Sequence, residues 1–144
     1  MIVHAGLIAA RVGGTWRGAL IEGPSGSGKS DLALRCLALG ARLVADDRVL
    51  LWRSGALVYG RSPEALSSLM EVRGVGVVGV STLPFAAVDL VITCVASPAQ
   101  VERFPGDETA DRLNRRIPLR RLWPYEPSCP LKLMALLERV GQAG

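Results

Sequence analysis

The chain has 144 residues, 49% hydrophobic and 21% charged, with a formal net charge of +4, a size and balance expected of one globular domain over residues 1–144 with one core. Its apolar runs are broken by Asp, Gly or Pro well short of the ~18–20 residues of a membrane span, and the start, Met1-Ile2-Val3-His4, lacks the basic-then-apolar order of a secretory signal; the expectation is a cytoplasmic protein without a membrane partner. So mild a charge gives no reason to expect nucleic acid, and the basic stretch from Arg112 to Arg121 reads first as a solvated face.

Residues 2–11 are small and β-prone, Gly13-Gly14 punctuates, and Thr15–Glu22 resumes the apolar pattern. This predicts a hairpin whose second strand runs into Gly23-Pro24-Ser25-Gly26-Ser27-Gly28-Lys29-Ser30. Next, Leu32, Ala33, Cys36, Leu37 and Leu39 recur at helical spacing until Gly40 stops them. Arg42–Ala45 reads as a buried strand ending in Asp46-Asp47. Strand, loop, helix and strand in that order predict a parallel crossover unit.

Residues 49–53 and 57–59 flank Ser54-Gly55 as a second hairpin, and residues 63–70 predict a short helix with Ser62 as cap and Pro63 at its first position. Residues 71–79 set Gly74, Gly76 and Gly79 among valines, a backbone that must turn or closely approach something. Residues 89–96 form a strong strand, 97–116 are polar and without clear period, 117–123 resemble a strand, and 130–140 a closing amphipathic helix. Cys36, Cys94 and Cys129, odd in number and far apart in sequence, fit neither a disulfide framework nor zinc spacing and read as reduced core residues. With His4 the one histidine, a histidine-clustered metal centre is excluded.

The run from Gly23 to Ser30 carries the most specific chemistry, because glycine spacing, lysine and serine all match a phosphate-binding loop. Its glycines let the backbone curl so that amides point at phosphate oxygens, and the following helix adds its positive dipole end. Lys29 is then expected to neutralise the terminal phosphates and Ser30 to ligate magnesium. Asp46 and Asp47, at the carboxyl end of a strand parallel to the one delivering the loop, can hold that ion or accept a proton from an attacking hydroxyl. Spacing alone does not divide these jobs, since neighbouring side chains of an extended segment point to opposite sides. Glu71 and Arg73 either crowd a phosphate or metal or form an ordinary surface pair.

Four stretches together resemble one family, the bacterial HPr kinase/phosphorylases: His4-Ala5-Gly6, the loop, Leu43-Val44-Ala45-Asp46-Asp47-Arg48-Val49, and Met70-Glu71-Val72-Arg73-Gly74-Val75-Gly76-Val77-Val78. The last resembles the family's own signature of glutamate, aliphatic, arginine, glycine, aliphatic, glycine. The resemblance implies an α/β P-loop kinase domain with a mixed β-sheet and a phosphoenolpyruvate carboxykinase-like nucleotide site. It implies ATP and Mg2+, and transfer of the γ-phosphate to a serine of HPr or an HPr-like phosphocarrier protein. Gly23, Pro24, Ser25, Gly26, Ser27, Gly28, Lys29 and Ser30 would bind the nucleotide, Ser30 and Glu71 the metal, and Asp47, His4, Lys29 and Arg103 would be catalytic. Asp47 matches the proton-accepting base and Arg103 the arginine that stabilises the transferred phosphoryl group; Arg112 is a rival for that role.

The resemblance starts at residue 4 and reads as a short form holding the kinase domain alone, and it implies a homo-oligomer, a hexamer. No glycine-arginine-asparagine segment stands near Pro127-Ser128-Cys129-Pro130, and Gly79 replaces a frequent acid or amide, which points to the forward reaction rather than phosphorolysis. An ATP-binding regulatory or sensor module that engages signalling proteins is the second expectation. A GTPase is disfavoured because no Asn-Lys-x-Asp motif reads guanine.

Overall fold

A computed structural model describes residues 1–65 and 68–143. In chain order these form β1 (Ile2–His4), β2 (Gly6–Val12), β3 (Thr15–Glu22), α1 (Lys29–Leu37), β4 (Arg42–Ala45), β5 (Arg48–Ser54) and β6 (Leu57–Arg61). Then follow β7 (Leu69–Val72), β8 (Gly76–Gly79), β9 (Ala86–Cys94), a 3-10 turn (Pro98–Gln100), β10 (Thr109–Arg112), β11 (Arg115–Leu122) and α2 (Cys129–Ala143).

Period-two alternation in the central strands builds two cores, one on each face of a curled mixed sheet. Ile8, Ala10, Ala19, Ile21, Leu90 and Ile92 face both helices, meeting Leu32, Ala33 and Cys36 of α1 and Leu133 and Leu137 of α2. Their sequence neighbours Leu7, Ala9, Leu20 and Val91 face the other way, against Val49, Leu51 and Val58 of the β5–β6 hairpin and Ile117 of β11. Leu133 and Leu137 are fully buried, each worth about 1.5–3 kcal/mol of burial. The three cysteines, distant in sequence, all come to rest in the helix-side core as free thiols.

The sheet order is β1-β5-β6-β9-β3-β2-β4, with β11 also on β9 and β10 on β11. β9 has β3 along one edge, while its opposite edge takes β6 at its start and β11 at its end. The predicted crossover needs one correction. β4 does run in the direction of β3, but β2 lies between them, antiparallel to both. β2 takes the inner slot because Gly6 to Ala10 are buried on both faces, while β4 opens with the exposed Arg42 and sits at the edge.

The predicted single strand over residues 2–11 divides at Ala5. Before it the chain pairs with β5, after it with β3 and β4. The Ala5 amide donates to the Asp47 carbonyl at 3.1 Å, so the switch lies directly against the turn joining β4 to β5. The helix predicted over residues 63–70 is partly beyond the described residues, at 66 and 67. Its described flanks are bends at Pro63 and Glu64 and strand β7, whose Met70 pairs with Val78.

Candidate active site

Between the end of β3 and the first turn of α1, the eight residues from Gly23 to Ser30 form a tight curl. Gly28 takes a left-handed φ of 97° as the helix N-cap, and a Cβ there would stand 3.2 Å from the Pro124 ring. At Gly23, φ 154°, a Cβ would meet the Ser27 hydroxyl at 2.7 Å. Side chains at either place would force the curl open. The first main-chain bond into the helix is Leu32 N to Gly28 O, 2.9 Å. The amides of Lys29, Ser30 and Asp31 precede it and have no partner within the helix.

Lys29 Nζ bends back and donates to the Gly23 and Pro24 carbonyls at 2.7 and 2.9 Å. Ser30 Oγ donates to Asp46 Oδ1 at 2.9 Å. The buried Ser27 hydroxyl has no hydrogen-bond partner among the described residues. Lys29, Ser30 and Asp46 border a cavity of about 680 Å3 at the carboxyl ends of β3 and β4. Asp47, Glu71 of β7 and Arg73 in the turn just after it line it as well.

The paired aspartates separate as an extended pair should, and the turn sharpens the separation. Arg48 N donates to Asp46 O at 2.8 Å across Asp47, whose φ is 68°. A three-residue turn with positive φ at its centre is the rarer, strained hand, costing of order 1–3 kcal/mol. It leaves Asp46 on Ser30 and turns Asp47 toward His4, with His4 Nδ1 3.8 Å from Asp47 Oδ1. Both side chains of that second pair are largely exposed, at 82% and 74%.

Arg103 is not brought to this cavity. Its guanidinium lies over the Phe104 ring, 5.5 Å from the centroid, in a second groove of about 730 Å3 formed by residues after β9, part of β11 and α2. Arg112 forms a half-buried ion pair with Glu22, the residue just before the loop. The residue that sequence reasoning missed is Tyr125. It lines the first cavity and its hydroxyl donates to the Gly26 carbonyl at 3.1 Å. No motif announces it, because its role arises from the return of the chain after β11.

A metal ion would find hard oxygen donors in Ser30, Asp46 and Glu71, the chemistry that suits magnesium. Among the described residues no three His, Cys, Asp or Glu side chains gather into a protein-only metal cage. Magnesium commonly keeps waters and phosphate oxygens, so this sparse set fits it. The curled amides at the helix start, with Lys29 beside them, likewise fit an oxyanion.

Fold and site together define a mixed α/β domain with a curled sheet and a glycine-rich loop opening a helix at the sheet's carboxyl edge. The model of the HPr Serine kinase C-terminal domain family matches residues 3–116, and the chain belongs to that family. Similar curated proteins include the HPr kinase/phosphorylase of Limosilactobacillus reuteri (strain DSM 20016), 39% identical over 100 residues, 69% of this chain and 31% of that protein. That of Lacticaseibacillus casei (strain BL23) is 39% identical over 97 residues, 67% of this chain and 30% of the relative. That of Streptococcus thermophilus (strain CNRZ 1066) is 41% identical over 97 residues, 67% and 31%. The matched region thus spans under a third of each relative's length. The structure of the Hpr(Ser) kinase/phosphatase from Coxiella burnetii superposes with a TM-score of 0.76 at 24% identity, covering 99% of this chain and 91% of that one, a likeness of fold. Among the described residues no helix is long and apolar enough to cross a membrane.

Proposed function

We propose that this domain is an ATP- and magnesium-dependent protein kinase acting on a serine of HPr or an HPr-like phosphocarrier. The observation that carries the reading is the division of the paired aspartates, Asp46 on the Ser30 hydroxyl and Asp47 turned to His4 at the mouth of the same cavity. Phosphoryl transfer asks a protein for positioning and charge neutralisation more than covalent chemistry. The amides of the loop and Lys29 supply both to the phosphate tail. Ser30, Asp46 and Glu71 would hold magnesium, which supplies neutralisation of phosphate charge when bound.

Asp47 accepts the proton of the attacking serine as its oxygen forms the new bond to the γ-phosphorus and the bond to the bridging oxygen of ADP breaks. His4, beside Asp47, orients the carboxylate. Incubation of the chain with ATP carrying a labelled γ-phosphate and an HPr-type carrier should label one carrier serine. Asp47→Asn should reduce that transfer by about 10²–10⁴-fold, and undiminished transfer by this variant overturns the assignment of the base. Incubating labelled carrier with inorganic phosphate tests the reverse direction, which we expect to be weak.

One observation favours a second reading. Arg103 rests over Phe104, apart from the cavity, as suits a module that binds nucleotide and transfers little. Nucleotide binding with no carrier labelling, together with capture of a two-component signalling protein, would establish that sensor role.

A further inference from the structure

Resting on the nucleotide-site reading above, we propose that Tyr125 is a positioning residue of the loop, holding it in the curl that receives the phosphate tail of a nucleotide. A trans peptide directs its carbonyl and its amide to opposite sides, so one such unit can be pinned from two directions. The unit between Gly26 and Ser27 is pinned in that way. The Gly26 carbonyl accepts from Tyr125 Oη at 3.1 Å, and the Ser27 amide donates to the Pro24 carbonyl at 3.1 Å. With this plane fixed at the loop's tip, the following amides, up to the helix start, are held facing the cavity.

The segment carrying Tyr125 is itself fastened to α1. Arg35 reaches across to the Pro124 and Glu126 carbonyls while its other side pairs with Asp31 at 2.9 Å. Lys132 clamps the Glu126 carboxylate at 2.8 Å. The Pro124 and Tyr125 rings lie over Gly28, where a Cβ would stand 3.3 Å from Pro124 Cβ and 3.6 Å from Tyr125 Cζ. Trp123 meets the Tyr125 ring edge-on at 6.4 Å between centroids. Tyr125 thus stands on a braced turn, yet its own side is open, 59% exposed, which is unlike a core-filling tyrosine.

The test is direct binding of Mg-ADP and Mg-ATP, followed by calorimetry, to the whole chain and to Tyr125→Phe, which keeps the ring and removes one hydrogen bond. The dissociation constants should rise about three- to tenfold, with the melting temperature held within about 2 °C. In the transfer assay KM for ATP should rise while kcat stays within about twofold. Tyr125→Ala, which also removes the ring over Gly28, should weaken binding further. Equal binding by Tyr125→Phe and the parent chain overturns this inference alone. So does a loss of binding that merely follows the fraction unfolded. A parent chain that binds neither nucleotide overturns the nucleotide-site reading, and this inference with it.

Discussion

The cavity at Lys29 and the groove at Arg103 are similar in size, about 680 and 730 Å3, but differently made. The first takes its walls from strand ends, a helix start and two tight turns. Lys29 and Tyr125 there are held by bonds to main-chain carbonyls of the loop, and Ser30 by Asp46. The second takes part of its wall from residues between the 3-10 turn and β10, where Phe104 is 85% exposed. Its charges pair on the surface, Arg121 with Glu108 at 2.5 Å and Lys132 with Glu126 at 2.8 Å. Hydrogen bonding from Arg121 draws the Glu108 carboxyl below its ordinary range, and Lys132 does the same to Glu126. Groups delivered by regular elements are already in place, while a group carried by the irregular stretch must travel to act on the same substrate.

Of the substitutions that test this contrast, Lys29→Ala should have the largest effect, because it removes a fixed cation from the preformed side. We expect transfer to fall about 10²–10³-fold, measured with labelled ATP, and Mg-ADP binding to weaken with it. Arg103→Ala sharpens the contrast. Standing apart from the cavity, Arg103 should leave ADP affinity within about twofold while kcat falls about 10²-fold. Arg112→Ala, by contrast, strips the half-buried Glu22 of its partner. It should cost about 1–3 kcal/mol of stability in urea melts, with the surviving folded chain close to parental in the transfer assay. If Arg112→Ala instead fails in kcat at unchanged stability, the two arginines have exchanged roles.

A smaller effect comes from the thiols. Burial, the main cause in each case, pushes Cys36 up to about 12 and Cys94 and Cys129 to about 11 from an ordinary 9.0. Their folded values lie above the unfolded one, so rising pH ionises the unfolded chain first. Stability is therefore full below about pH 9 and declines progressively between about 9 and 12. Melting temperatures at pH 8 and pH 10.5 should show the decline, and iodoacetamide at pH 8 should label the cysteines only on unfolding. Labelling of the folded chain would place mobility beneath the loop and weaken its claim to be preformed.

Much of the loop side was legible because local rules govern it. Glycine spacing, the leucine period of α1 and the stop at Gly40 all concern neighbours in sequence. The insertion of β2 between β3 and β4 was hidden, since pairing order follows long-range burial rather than local pattern. The β10–β11 hairpin escaped for a different reason. Its turn puts Leu113 and Asn114 at φ 53° and 62°, a turn usually announced by Asn-Gly or Asp-Gly. The split between Asp46 and Asp47 needed the turn itself, and Tyr125 needed the chain to return from β11. The resemblance offered Arg103 as a place in the sequence, and its position over Phe104 in the second groove depended on the fold.

The strained turn at Asp47 sets durability against reactivity. Glycine would adopt that φ without steric strain, at a smaller cost in chain entropy, and would leave no carboxylate beside His4. Selection for heat resistance alone would favour the exchange, and the proposed role of Asp47 as the base is what would oppose it. The residue proposed to take the proton is thus one that a search for sturdier variants is apt to discard first.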